Sequence, residues 1–298
     1  MISIESLIAD LAGTLDPIEW LKRVDFEPYP WQIFALKALG QGRKRILING
    51  ARQVGKSTIT AGLPAYISKN EKALSLIYAP SDEQTKDDIE RVKEFISADE
   101  SYPNLDLESK EHVRLPNGSY IKANTSTATT KRGKSMPRII IFDEGAYIED
   151  VLYRTIRPML TSNPRCVVIG ISTPNGKDGW FYRAWRNPHW LRIMVKAPWD
   201  LVDGEVVPAE PEKVFKERMA AQGIHAFYST RHNDYAFMLE ELEEQGELWF
   251  RQEYLCEFVE PEDAVFDYDD IEKAFASESD PLPSGVDEAE TEALAVYS

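Results

Sequence analysis

Residues 50 to 57 read GARQVGKS, and the strand-like run RILIN leads straight into them. Gly50, Gly55, Lys56 and Ser57 fill the fixed positions of a G-x-x-x-x-G-K-S loop. The spacing has a mechanical reason. Glycines let the backbone wrap a phosphate with its N–H groups turned inward, and the helix that follows points its positive N-terminal end at the same group. The expected ATP-binding set is therefore Gly50, Arg52, Gln53, Val54, Gly55, Lys56, Ser57 and Thr58, with Lys56 on the β/γ oxygens and Ser57 on a magnesium ion.

A second signature is RIIIFDEGAY, in which Ile139 to Phe142 make a buried strand and Asp143 and Glu144 emerge at its C-terminal end. That edge is where open α/β sheets place their ligands. Asp143 is the second candidate for the metal. Glu144 is the candidate to polarise the water that attacks the γ-phosphate, a role that contributes ~10²–10⁴-fold in rate.

Three weaker features accompany these. GISTPNG ends another apolar strand and would set Ser172 and Thr173 beside the γ-phosphate, where hydroxyls can sense nucleotide state; read alone it is an ordinary strand-to-turn exit. In Tyr29-Pro30-Trp31-Gln32, the Gln32 amide donates and accepts at once, which matches the N6/N7 edge of adenine. Lys131-Arg132-Gly133-Lys134, with Arg138 beyond it, gathers cations in the loop TSTATTKRGKSMP. An arginine delivered from such a loop to a γ-phosphate is worth ~10³–10⁵ in rate. Arg52, inside the glycine loop, competes for that role.

The elements that must hold these residues are legible as apolar runs. Arg45–Asn49, Ala73–Ala79, Arg138–Phe142 and Cys166–Ile171 are near-continuous aliphatic strands separated by helical patterns, which indicates an α/β fold with a mainly parallel sheet covered on both faces. Short helices are expected over residues 3–12 and 16–24, a helix entering near Trp31, and a charged helix over 83–98. Asn117-Gly118 marks a hairpin between 112–115 and 119–123, and residues 191–197 offer a further strand. From about Trp199 the pattern turns helical, over 211–222, 233–246 and 247–258. The expected partition is an ATPase core over 1–198, a helical lid or linker subdomain over 199–275, and an acidic tail over 276–298.

Composition bounds the partners. The net charge is −16, but residues 260–298 alone hold 13 acidic groups against one lysine. Such a balance opposes broad nonspecific coating of DNA without excluding a local basic strip. No apolar run approaches the ~20 residues that span a bilayer, and the acidic N-terminus lacks the pattern of a secretory signal. Cys166 lies in a strand and reads as a buried free thiol, which suits a reducing compartment.

Taken in order, these motifs resemble the ATPase portion of the large terminase subunit of tailed bacteriophages, over roughly residues 25 to 275. Gln32 matches that family's adenine-reading glutamine, Arg52 its arginine-bearing Walker A loop, Arg132-Gly133 the arginine ahead of Walker B, Asp143-Glu144 Walker B itself, and Ser172 to Pro174 its coupling motif. The run LWFRQEYLCEFVEPEDAVF, 248–266, looks like the segment that closes the ATPase region. The resemblance implies a P-loop NTPase of the additional-strand, catalytic-glutamate type with a helical lid. It implies an ATP-hydrolysing, Mg²⁺-dependent motor that drives double-stranded DNA into a prohead, with Arg132 acting in trans. It also implies a homo-oligomeric ring of about five subunits on the portal protein, monomers when isolated, a small terminase subunit as partner, and residence in the host cytoplasm with transient stays at the portal. The family usually continues into a nuclease domain. Here Asp287, Glu288, Glu290 and Glu292 lie in a short polar segment with no sheet to array them for two metals, so no DNA cleavage is expected from this chain.

Two rivals share part of the pattern. A superfamily-two helicase needs a second sheet domain, for which the residues after GISTPNG leave little room. A non-hydrolysing ATP-gated scaffold would ordinarily lack Lys56 or Glu144, and both are present. Unwinding of a tailed duplex separates the first from a packaging motor, and Glu144→Ala hydrolysis the second.

Overall fold

Seven strands, four of them near-continuous aliphatic runs, make the centre of the molecule. In the computed structural model, which describes residues 16–126 and 136–260, they are β1 (Arg45–Gly50), β2 (Leu74–Ala79), β5 (Tyr120–Thr125), β6 (Ile139–Asp143), β7 (Val167–Ser172), β8 (Leu191–Lys196) and β11 (Ile224–Tyr228). All seven pair in parallel. Beyond β5 the sheet continues with two antiparallel strands, β4 (His112–Arg114) and β3 (Leu107–Glu108), giving the order β11-β8-β1-β7-β6-β2-β5-β4-β3. Strand β7 thus lies between β1 and β6 although it follows both in sequence. Every parallel strand ends at one edge, so Gly50, Asp143 and Ser172 are delivered side by side.

Alternation along the strands builds two cores. Ile46, Ile48, Ile139, Ile141, Ile169 and Ile171 face one side and pack with α1 (Pro17–Arg23), α2 (Pro30–Gly40), α3 (Lys56–Asn70) and α4 (Asp82–Ala98). Leu47, Ile140, Phe142 and Val168 face the other and meet α5 (Asp150–Ser162), α6 (Gly179–Trp185) and α7 (Glu212–Ala220). Gly170 of β7 has no room for a side chain: an added Cβ would lie 2.7 Å from Leu47 Cδ1 and 2.9 Å from the Trp180 ring.

Helix α1 is capped by Asp16, whose Oδ1 accepts from Ile18 N at 2.8 Å. It is pinned by Asp99, which accepts from Trp20 Nε1, Lys69 Nζ and Arg23 Nη2 at 2.6, 2.6 and 2.9 Å. Helix α4 is capped by Ser81, whose Oγ accepts from Gln84 N at 3.2 Å.

The expected strands, the Asn117-Gly118 hairpin and the helices near 211, 233 and 247 are present; the last two are α8 (Tyr235–Gln245) and α9 (Glu247–Glu253). The stretch after Trp199 is less purely helical than its pattern indicates. It holds an antiparallel hairpin, β9 (Trp199–Val202) and β10 (Glu205–Pro208), and it contributes β11 to the edge of the main sheet. The hairpin turns on Asp203 and Gly204, both with positive φ, at 51° and 81°, which is the turn chemistry that two-residue hairpins favour. A third apolar cluster, with Leu201, Val206, Met238 and Phe250, joins this hairpin to α8 and α9.

After α9 the chain returns to the sheet. Tyr254 O accepts from Ala197 N at 2.8 Å, and Cys256 O accepts from Asn49 Nδ2 at 2.9 Å. The Cys256 thiol donates to Val195 O at 3.3 Å and is 1% exposed, and burial pushes its pKa up to about 12. Cys166 is also free and buried. Among the described residues no helix is long and apolar enough to cross a membrane. The expected helix over 3–12, the end of the expected lid over 261–275 and the tail over 276–298 lie outside the described residues.

Candidate nucleotide site

The glycine loop is held from behind, which leaves its front free. Trp31 Nε1 donates to Val54 O at 3.1 Å and Gln32 Nε2 to Gly55 O at 2.9 Å. Gly55 has φ +89°, and an added Cβ would sit 3.0 Å from Gln32 Nε2 and 3.1 Å from the Tyr29 ring. Gln32 is fully buried, and its Oε1 accepts from Tyr29 N at 2.7 Å. The expected adenine-reading amide is thus spent inside the protein, its nitrogen on the loop and its oxygen on the Tyr29 backbone at the start of α2. From the sides, Ala51 N donates to Val195 O at 2.8 Å and Arg52 N to Glu253 O at 3.0 Å.

Lys56, the first residue of α3, reaches across to the Asp-Glu strand. Its Nζ lies 3.1 Å from Glu144 Oε1 and 3.3 Å from Gly50 O. Ser172 Oγ donates to the other Glu144 oxygen at 3.0 Å. Glu144 occupies a left-handed conformation, φ 45°, which is uncommon outside glycine, asparagine and aspartate. Asp143 accepts from Thr60 Oγ1 at 3.2 Å and Gln84 Nε2 at 3.0 Å. Burial, then the neighbouring Glu144 carboxylate, push its pKa up to about 6. On α4, Asp88 is 3% exposed with one oxygen lacking any hydrogen bond; burial first, then Asp143, push it up to about 9.

A second carboxylate organises the outer wall. Glu253 of α9 is 3% exposed. It accepts from Arg52 Nε at 2.9 Å, Thr173 Oγ1 at 3.3 Å and Tyr147 Oη at 3.4 Å. It therefore gathers the glycine loop, the STP turn and the turn after Glu144 onto the segment that follows the sheet. The Arg52 guanidinium also lies 4.7 Å over the Trp249 ring. Arg231, beyond β11, donates to Tyr29 Oη at 2.6 Å and lies over that ring.

These groups line a cleft of about 740 Å³ bounded by the glycine loop, Glu144, Thr173, Glu253 and Arg231. A smaller cavity of about 220 Å³, walled by Tyr29, Pro30, Phe227 and Thr230, shares Arg231 with it. The structure brings Gly50, Arg52, Gln53, Val54, Gly55, Lys56, Ser57, Thr58, Asp143, Glu144, Ser172 and Thr173 to one sheet edge, with Gln32 behind the loop. Arg132 lies outside the described residues. Arg138 is committed at the opposite edge, to Glu71 Oε1 at 2.6 Å and Arg165 O at 2.9 Å. Ser57 and Asp143 are an oxygen-only pair, the donor type a magnesium ion takes when phosphates complete its shell. Sequence reading missed Gln84, Asp88, Glu253 and Arg231. Asp88 alone left a trace, as a carboxylate in register with the buried stripe Ile89, Val92, Ile96.

A parallel sheet with a strand inserted between a glycine-loop strand and an Asp-Glu strand defines a P-loop NTPase fold of the additional-strand, catalytic-glutamate type. Within that class the chain belongs to the family described as terminase large subunit, T4likevirus-type, N-terminal, whose model matches residues 47–273. Similar solved structures include the large terminase ATPase domain of Thermus phage P74-26, at 20% identity and TM-score 0.58, covering 80% of this chain and 97% of that one. The HK97 bacteriophage large terminase matches at 18% identity and TM-score 0.58, over 78% of this chain and 51% of that one. The large terminase of a thermophilic bacteriophage, solved in complex with ADP, matches at 9% identity and TM-score 0.50, over 83% and 53%. At these identities the likeness is one of fold, and this chain spans about half the length of the last two. No curated protein matches.

Proposed function

We propose that this chain is the ATP-hydrolysing part of a DNA-packaging motor. The observation that carries the reading is the meeting of Lys56, Asp143, Glu144 and Ser172 at one sheet edge, with β7 between the two signature strands. Membership of the terminase large-subunit family supports it, as does the ADP complex of the thermophilic-phage enzyme.

In this reading the triphosphate lies along the glycine loop with its γ-phosphate toward Glu144. Lys56 exchanges its contact with Glu144 for the β/γ oxygens, freeing one carboxylate oxygen. Release from Ser172 frees the other, and Glu144 then accepts the proton of the attacking water while directing it in line. Ser57 and Asp143 would hold a magnesium ion, which supplies charge neutralisation on the phosphates when bound. The cavity beside Tyr29 receives the adenine end; Gln32, its amide spent on Gly55 O and Tyr29 N, holds that wall in place rather than reading the base. Loss of phosphate is felt at Ser172-Thr173 and passes through Glu253 to residues 199–275, which we propose as the moving lid. Arg132 is the proposed trans finger, with Arg52 the competing candidate. Duplex DNA, the portal, the small terminase subunit and a five-membered ring in the host cytoplasm are the proposed partners and setting.

The test is ATP hydrolysis against protein concentration for wild type, Glu144→Gln and Arg132→Ala. The expected result is a steep rise with concentration that both variants lose, with nucleotide affinity retained. Hydrolysis by a dilute monomer that Arg132→Ala leaves intact would overturn the trans assignment, and hydrolysis by Glu144→Gln at the wild-type rate would overturn the site.

A further inference from the structure

A cavity of about 200 Å³ lies between the first residue of β1, helix α5 and helix α6, on the sheet face away from α3. It is separate from the nucleotide cleft: β1 begins at Arg45 beside this cavity and ends at Gly50 in the glycine loop, roughly 16 Å further on at a strand's rise per residue. Its wall is cationic. Arg45, Arg154, Arg157 and Arg183 face it against one carboxylate, Asp150, in a chain of net charge −16.

Asp150 takes up two of these cations, pairing with Arg183 and, at 3.5 Å, with Arg154; Arg183 also reaches Asp178 at 3.2 Å. Among the described residues Arg45 and Arg157 have no ion-pair partner. At the cavity floor Tyr153 stacks on Trp180, with centroids 4.5 Å apart and planes at 12°. Trp180 is 2% exposed, lines the same cavity, and its indole N–H has no acceptor. A buried donor left unpaired is rare in folded proteins. The unpaired Arg45 and Arg157 guanidinium forks make a place for an anionic oxygen acceptor, with the buried Trp180 ring as the wall beneath them.

We propose that this cleft binds a backbone phosphate of duplex DNA. The rim is open, with the Arg154 and Arg183 side chains 74% and 43% exposed. Arg154 and Arg157 stand one helical turn apart on α5 and point to an extended polyanion rather than to one enclosed ion. Apart from the arginines, the only lining side chains that could read a base are Asn187 and Asp150, and Asp150 is held in ion pairs with Arg183 and Arg154, so the contact positions duplex without reading its sequence. The choice of duplex rests on the packaging reading; the anion site does not.

Binding of a short labelled duplex to the full chain, followed by anisotropy across a salt series, tests this. Arg154→Gln with Arg157→Gln should weaken binding equally for unrelated sequences and reduce the salt slope by about 2, near one for each lost phosphate contact. ATP hydrolysis in the absence of DNA should stay at the wild-type rate. Separately, the Trp180 indole N–H resonance, assigned by its loss in Trp180→Phe, should move when duplex is added. Unchanged affinity and slope in the double variant would overturn the proposal and leave the motor reading standing. A resonance that moves with inorganic phosphate and not with duplex would overturn it in favour of a small-anion site. No duplex binding by the wild type would overturn both the proposal and the packaging reading.

Discussion

Asp99 and Asp143 are both buried aspartates, 5% and 7% exposed, yet their surroundings treat them in opposite ways. Burial alone would raise the pKa of Asp99. Hydrogen bonds from Lys69, Ser101 and Trp20, and the charge of Lys69, outweigh that and hold it well below the usual carboxylate range. Asp143 is hydrogen-bonded only by the neutral donors Thr60 and Gln84; burial first, then the Glu144 charge, push its pKa up, and the nearby Lys56 offsets this only in part. The first carboxylate is matched by cations and fastens α1 to α3 and the end of α4. The second is short of positive charge, as a site that a metal–nucleotide complex completes should be. A buried acid that finds its cations inside the fold reads as structure, and one left among other acids reads as function.

That contrast can be broken first at Asp143. Asp143→Asn should lower ATP hydrolysis by at least ~10²-fold, in the range that removal of one electrostatic stabiliser costs, while the melting temperature holds or rises because a like charge beside Glu144 has gone. Steady-state hydrolysis and calorimetry on the same preparation check both halves. Asp99→Asn should do the reverse. It leaves Lys69 and Arg23 without their carboxylate and should cost about 3 kcal/mol, roughly 6 to 12 °C in melting temperature for a chain of this size, with hydrolysis at low temperature unchanged. If both variants lose stability alike, the distinction between the two acids fails.

The pH dependence sharpens the same comparison. The folded-state pKa of Asp99 lies below its unfolded value, so its contribution is present above about pH 4 and is lost as pH falls. Asp88 is pushed up to about 9, so its contribution is full below about pH 4 and is lost as pH rises toward 9. Thermal melts of Asp99→Asn should show a flattened acid limb, and those of Asp88→Asn should gain most near the upper end of that window. The smallest expected effect is at the cap of α4. Ser81→Ala should cost about 1 kcal/mol, and by loosening the turn that presents Gln84 it should lower hydrolysis slightly as well.

Much of this was legible in the chain. The four central strands are unbroken aliphatic runs, and the glycine loop, Asp-Glu and STP each follow one of them, so their convergence at one edge follows from parallel pairing alone. The Asp203-Gly204 hairpin was equally readable but sits among helical patterns. Edge strand β11 is short and carries His225 and Tyr228, so periodicity alone does not separate it from a loop. Glu253 and Arg231 were not legible, because their partners Arg52 and Tyr29 lie 201 and 202 residues away in sequence. In one sequence such meetings leave no local trace; only the fold makes them neighbours.

Cys256 gives this molecule a clock of its own. Its thiol is shut between β1 and β8 three residues after α9, and its raised pKa leaves almost no thiolate to react in place. A maleimide or disulfide reagent can reach it only when the stretch carrying Glu253 unbuttons from the sheet. The rate at which that one sulfur is tagged, read by peptide mass with Cys166 as the companion, therefore counts the openings of that segment. It should slow when nucleotide clasps the loop and quicken in Glu253→Gln.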